Sequence, residues 1–369
     1  MQSSSIFSSR RLIGGLRDAA IAGLIALFLL EVVVEMMGMC GVALPSRYPM
    51  QRTPNAEFVF PGQHFTFPEF TTPVKLNAHA FHDRERSPAP PPGVMRAGLW
   101  GDSLFEGYQV ERDALATLQI ERRLVESGLP VEVMNLAYSG GRAATLQSEI
   151  ALDAIQDLGV SLLLVEIHSV MELAHAKSGG EPSFLPPAFT GFPESRFGWI
   201  RRAMVEDLGL DGLFLVQDRA RAIWGRSGAA ESPDFYHRVH AADAPGREKA
   251  WETFRGLLEH LRGLEGARGI QVLLVYAPSW SEVLAERQGT GVSLSPSRLP
   301  LDHGGMKRRM MELATTSGLP MVDISPAFSV PGGQTHYASD RHWTPLGHAR
   351  VAAVIAPALE AMVKDSPRR

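Results

Sequence analysis

Apolar positions fall into distinct patterns along this chain. From Ala19 to Leu44 they are nearly continuous. A helix of that length, rising about 1.5 Å per residue, exceeds the roughly 30 Å hydrocarbon core of a bilayer. Arg10, Arg11 and Arg17 stand just before it. The positive-inside rule therefore predicts a cytoplasmic N-terminus over residues 1–18, a single-pass transmembrane anchor over 19–44 and an extracytoplasmic, periplasmic remainder. Glu31 and Glu35 interrupt the run on one helical face. Each costs about 3 kcal/mol at the bilayer centre and less near its surface. The alternative is a cleaved signal peptide with Ala19–Leu30 as its apolar core and Gly41-Val42-Ala43 as the cleavage site.

Beyond a segment rich in proline and aromatics at 45–92, expected to be a stalk that leads into a domain, short apolar runs alternate with helical spacing. Val94–Trp100, Val131–Asn135, Ser161–Ile167, Ile270–Tyr276 and Met321–Asp323 are predicted as buried parallel strands. Helical periodicity is expected over Asp113–Ser127, Thr145–Leu158, Arg247–Glu265, Gly305–Ser317 and Gly347–Lys364. Such alternation predicts a three-layer α/β domain over 93–365 with right-handed crossovers. Between His168 and Gly269 the chain is far too long for one crossover. A helical insertion at about 170–245 is expected, with Trp199, Ile200, Met204, Leu208 and Leu213–Val216 as an apolar stripe that serves either as core or as a lid.

Charge narrows the classes. Lys and Arg total 36 against 40 for Asp and Glu, a net charge of −4, which gives no electrostatic basis for nucleic-acid binding. Cys40 is the single cysteine, so an intramolecular disulfide and a cysteine-based zinc site are excluded. The histidines are scattered; His237 and His240 lack acidic partners, and neither a metal nor a cofactor is expected.

The candidate chemistry lies where strands end. Strand one runs into Gly101-Asp102-Ser103-Leu104, and in α/β sheets ligands bind beyond the carboxyl ends of strands, so Ser103 is well placed as a nucleophile. The chain holds no G-x-S-x-G, so the α/β-hydrolase elbow is not on offer. A serine hydroxyl needs a base, and that base an orienting partner. Asp340-Arg341-His342-Trp343 supplies both: residues two apart in an extended segment face the same way, so Asp340 can orient His342. His348 is expected to be structural or capping. After strand two, Ser139-Gly140-Gly141 offers backbone amides for a developing oxyanion, with Gly140 the first choice and the Ser103 amide the second.

These blocks together resemble the SGNH hydrolases, or GDSL-type esterases, and within them the bacterial membrane-anchored members. The resemblance rests on Gly101–Leu104, on Asn135–Gly140, on Asp340-x-His342-Trp343 running into Gly347-His348, on Leu76-Asn77 to Phe81 before strand one, and on Ala277-Pro278-Ser279 after strand four. It implies a flavodoxin-like three-layer α/β/α sandwich with a five-stranded parallel sheet, and a hydrolase or acyltransferase that acts on esters through Ser103, Asp340 and His342. One departure stands out. Such enzymes follow strand three with Gly-x-Asn-Asp, whose asparagine helps bind the oxyanion, whereas this chain has Glu166-Ile167-His168-Ser169-Val170-Met171. Three readings stay open: His168 or Ser169 substitutes as donor, the site is weakened, or it is tuned to an unusual acceptor. The expected substrate is an ester-bearing carbohydrate or lipid, with O-acetyl groups of envelope or exported polysaccharide preferred. A lipase or lysophospholipase is the rival within the class, and a non-catalytic glycan-binding envelope protein the rival outside it.

Overall fold

A computed structural model describes residues 21–23, 25, 26, 28–30, 32, 33, 54–61, 69–168, 247–289, 292–294, 300–338 and 340–365. The chain divides into two compact units, and the one described below is Pro49–Gly62 with Glu69–Phe192 and Ser227–Arg369. The expected insertion lies outside the described residues.

An antiparallel hairpin opens this unit: β1 (Glu57–Pro61) pairs with β2 (Thr71–Lys75). The sheet that follows consists of β3 (Met95–Trp100), β4 (Val131–Asn135), β5 (Leu162–His168), β6 (Gln271–Ala277) and, after the small antiparallel pair β7 (Val292–Leu294) and β8 (Pro300–Asp302), β9 (Met321–Asp323). Its order is β4-β3-β5-β6-β9, all parallel, so the five core strands lie in chain order 2-1-3-4-5, the flavodoxin-like arrangement. Each expected strand is present to within a residue at its ends.

The strands are mainly apolar because helices cover both faces of the sheet. Leu163, Val165 and Ile167 of β5 join a core shared with α3 (Glu149–Asp157), α4 (Arg247–Arg268) and α6 (His303–Thr316). Leu162 and Leu164, on the opposite face, join a second core with α2 (Ala116–Glu126) and α8 (Pro345–Asp365). The period-two alternation of β5 thus splits its side chains between two layers. The helical spacings expected for α2, α3, α4, α6 and α8 all correspond to these helices.

Local signals account for elements that the periodicity missed. Helix α5 (Trp280–Arg287) starts with a capping box, in which the Ser279 side chain accepts from the Glu282 N–H and the Glu282 carboxylate accepts from the Ser279 N–H at 2.6 Å. The short α1 (Ser103–Glu106) and α7 (Pro326–Ser329) carry too few residues for a periodic pattern. The lead-in before β3 is tied by Asn77, whose Oδ1 accepts from the His79 and Phe81 N–H groups, each at 3.0 Å.

Among the described residues, the helix long and apolar enough to cross a membrane is the C-terminal α8. Its apolarity serves the core: Val351, Ala352, Ile355 and Leu359 are buried against the sheet. The described N-terminal apolar helix, Ile21–Leu30, is shorter. Its Ile21, Ile25, Phe28 and Leu29 are exposed, and the rest of the 19–44 segment falls largely outside the described residues.

Candidate active site

Ser103 stands at the carboxyl end of β3 as the first residue of α1. The turn before it is fixed from two sides. Asp102 caps α1 by accepting the Leu104 N–H at 2.9 Å, and the Asp102 N–H donates to the Glu166 carboxylate, buried at the end of β5, at 2.6 Å. Ser103 itself is half-buried, which leaves its hydroxyl within reach of a substrate.

His342 comes from the opposite end of the sequence. Its Nε2 lies 2.8 Å from Ser103 Oγ, and its Nδ1 lies 2.6 Å from Asp340 Oδ1. These distances suit a serine–imidazole–carboxylate relay in which the carboxylate holds one tautomer and leaves Nε2 to accept the serine proton. Burial works against the charged imidazole, yet the hydrogen bond and charge of Asp340, with Asp102 adding to them, outweigh it and raise the pKa of His342 above the ordinary 6.5. Two neighbouring histidines behave oppositely. Burial, with the charges of Arg287 and His342, pushes His336 down to about 3. Burial, with the charges of His82, His342 and His336, does the same for His348. Of the three, His342 is therefore the one that takes up a proton most readily. His348 is structural: it is buried on α8 and its Nδ1 accepts the Ala116 N–H at the start of α2, at 3.2 Å.

The turn after β4 abuts the nucleophile turn. The Tyr138 N–H donates to Gly101 O at 3.0 Å. A Cβ on Gly141 would fall 2.1 Å from that same oxygen, so this close approach requires glycine there, while Gly140 takes a left-handed φ of 82°. Among the described residues, neither the Ser103 nor the Gly140 N–H has a hydrogen-bond acceptor. Asn135, quoted above only as part of a block, has a definite task. Its side-chain amide donates to His82 O at 3.1 Å and Phe105 O at 3.0 Å and accepts the Ala137 N–H, joining the lead-in, α1 and the turn after β4. A second tie runs from the Ser139 hydroxyl to the Glu106 carboxylate.

Of the two substitute donors, His168 is the last residue of β5, its Nδ1 buried and without a hydrogen-bond partner among the described residues. Ser169 lies outside the described residues. Among the described residues no cluster of histidine, cysteine and carboxylate side chains has the makings of a metal site.

The chain thus has a parallel sheet in 2-1-3-4-5 order, with a serine at the carboxyl end of its first strand and an Asp-x-His loop before its last helix. Residues 235–369 match the family model described as SGNH hydrolase-like domain, acetyltransferase AlgX. No curated protein matches the chain. Among solved structures it is similar to the acetyl xylan esterase AlAXEase, at 12% identity, 72% of this chain, 100% of that one and a TM-score of 0.39. It is similar to a variant of the acetyl xylan esterase Axe2 from Geobacillus stearothermophilus, at 14% identity, 72% of this chain, 95% of that one and 0.37. The esterase EstA from Pseudoalteromonas sp. gives 8% identity, 73% of this chain, 99% of that one and 0.38.

Proposed function

We propose that this chain is a membrane-anchored serine esterase or O-acyltransferase whose domain faces out of the cytoplasm and acts on O-acetyl groups of envelope or exported polysaccharide. One observation carries the proposal: the unbroken chain from Ser103 Oγ through His342 to Asp340, at 2.8 and 2.6 Å. Ser103 attacks the acyl carbonyl while His342 Nε2 takes its proton, and Asp340 stabilises the imidazolium that forms. The Ser103 and Gly140 amides receive the oxyanion. Collapse of the tetrahedral adduct expels the sugar alkoxide, which takes the proton back from His342 and leaves an acyl-Ser103 ester. Water, or a second sugar hydroxyl, then attacks that ester with His342 again as base. Its proton returns to Ser103 as the acid or the new ester departs.

An acetyl group as cargo is supported by the acetyltransferase description of the family model matched by residues 235–369. The apolar run at 19–44, preceded by Arg10, Arg11 and Arg17, supports the anchor and its orientation. The test uses the full-length protein in detergent, beside Ser103→Ala. Acetate release from an acetylated polysaccharide and fatty-acid release from a phospholipid are measured in parallel. Acetate release that vanishes in Ser103→Ala is expected. Serine-dependent fatty-acid release instead would make the protein a lipase, and absence of both, with no labelling by a serine-reactive phosphonate, would leave a glycan-binding protein.

A further inference from the structure

The segment before β2 contributes a carboxylate to a loop that follows it by some 270 residues. Glu69 Oε1 accepts the Ala338 N–H at 2.8 Å, and its Oε2 accepts the Asp340 N–H at 3.0 Å, a separation of 271 residues for the second bond. The loop so held is the one that carries Asp340 and His342. Its base is closed by the antiparallel bridge of His336 with Trp343. Within it the Tyr337 N–H donates to His342 O at 2.9 Å and the Arg341 N–H to Tyr337 O at 3.1 Å.

The loop is not relaxed. Arg341, between the two reactive side chains, has a φ of 69°, a left-handed value that a non-glycine residue keeps only where its surroundings over-determine it. Those surroundings come from the hairpin. Beside Glu69, the Phe70 ring packs on Tyr337 with centroids 4.5 Å apart. The Tyr337 hydroxyl and the Thr72 hydroxyl both donate to Gln109 O, at 3.1 and 3.0 Å. Glu69 and Phe70 thus hold one face of the loop directly, Thr72 reaches it only through the acceptor Gln109 O that it shares with Tyr337, and the Glu69 tie grips the backbone of Asp340 itself.

We infer that Glu69 is a positioning residue for the acid–base pair: by accepting two loop N–H groups it fixes the backbone from which Asp340 and His342 project toward Ser103. The inference rests on the Ser103–His342–Asp340 reading proposed above. Loss of the clamp frees the Asp340 backbone, and the 2.6 Å bond from Asp340 to His342 depends on that backbone. The charged and titratable groups that face His342 are Asp340, Asp102, His336 and His348, with Arg287 beyond His336. Of these, Asp340 sits on the clamped loop and contributes most toward the raised proton affinity of His342.

The test compares full-length wild type, Glu69→Ala, Glu69→Gln and Ser103→Ala. Two quantities are read: kcat and KM on a short acetyl ester, and the titration of the His342 ring followed by NMR. For Glu69→Ala, kcat should fall by about tenfold to a hundredfold, as for an ångström-scale misplacement. KM should hold, and the His342 pKa should move down toward 6.5. Glu69→Gln, with one amide oxygen left to accept, should fall between. Wild-type kcat together with an unmoved titration in Glu69→Ala overturns the inference. If Glu69→Ala does not fold, Glu69→Gln decides: a lowered kcat and titration support it, wild-type values of both overturn it. If wild type and Ser103→Ala turn over the ester equally, the triad reading has failed instead. The His342 titration in Glu69→Ala, which needs no turnover, then still decides whether Glu69 orders the loop.

Discussion

Two polar clusters lie at different places on the sheet, and both hold charged groups out of water. In the cluster beside β4, the Arg86 and Asp83 side chains are fully buried. Arg86 donates to both Asp83 oxygens, to Glu121 and to Val133 O, while Arg96 is matched by Glu132 and Leu158 O. Burial works against the charge of Arg86, yet Asp83 and Glu121 outweigh it and raise its pKa. At the carboxyl ends of the strands, Asp340 is equally buried at 1% exposure, but His342 keeps 22% of its side chain exposed. The first cluster uses its hydrogen-bonding capacity internally and joins the lead-in to the sheet. The second stops at a half-buried serine. Burial alone does not distinguish a structural network from a reactive one; an end open to solvent does.

That contrast can be broken from either side. The largest effect is expected for Asp340→Asn, which takes the orienting charge from His342. By analogy with a measured serine protease, kcat should drop by about a thousandfold to ten-thousandfold with the fold intact. A general base works only when neutral. With the His342 pKa above 6.5, kcat/KM of wild type should fall as the pH drops through that raised value, and in Asp340→Asn this acid limb should move to lower pH. A pH–rate profile of both proteins checks the sign.

The reverse change, Arg86→Ala, should leave the chemistry alone and damage the fold. It strands the buried Asp83 carboxylate, a loss of about 3–5 kcal/mol for a broken buried pair. Urea unfolding should show it, and the fraction that remains folded should keep wild-type kcat. A smaller effect sits between the clusters. His336 and His348 have pKa values of about 3 when folded against an ordinary 6.5. Between those values the unfolded chain binds protons that the folded one refuses, so stability is full above about pH 6.5 and drains away as the pH falls toward 3. Over one pH unit the loss should be smaller than that from Arg86→Ala, and denaturant midpoints measured along a pH series test it.

Legibility in the sequence divides along the same line. The five parallel strands stand out as apolar runs because helices cover both faces, and Ser103 stands out by its position after the first of them. Asp340 and His342 are readable because their spacing is local. Glu69 was not, since its partners are 269 and 271 residues away and are backbone N–H groups, which carry no side-chain signature. The hairpin of β1 and β2 was hidden because Pro61 and Pro73 interrupt short strands and the region reads as a proline-rich stalk. Helix α5 could have been found: Ser279-Trp280-Ser281-Glu282 spells the S-x-x-E capping pattern. The exchange of Asn135 between three segments was also invisible, as two of its three partners are backbone carbonyls from elsewhere in the chain.

The most direct test of the account is the covalent intermediate. Full-length protein is mixed with an activated acetyl ester, quenched in acid within the first turnovers and digested for mass spectrometry. The account predicts one acetyl group on the peptide that contains Ser103, present in wild type and absent in Ser103→Ala. Ester turnover with Ser103 unmodified, or turnover that survives Ser103→Ala, would contradict it.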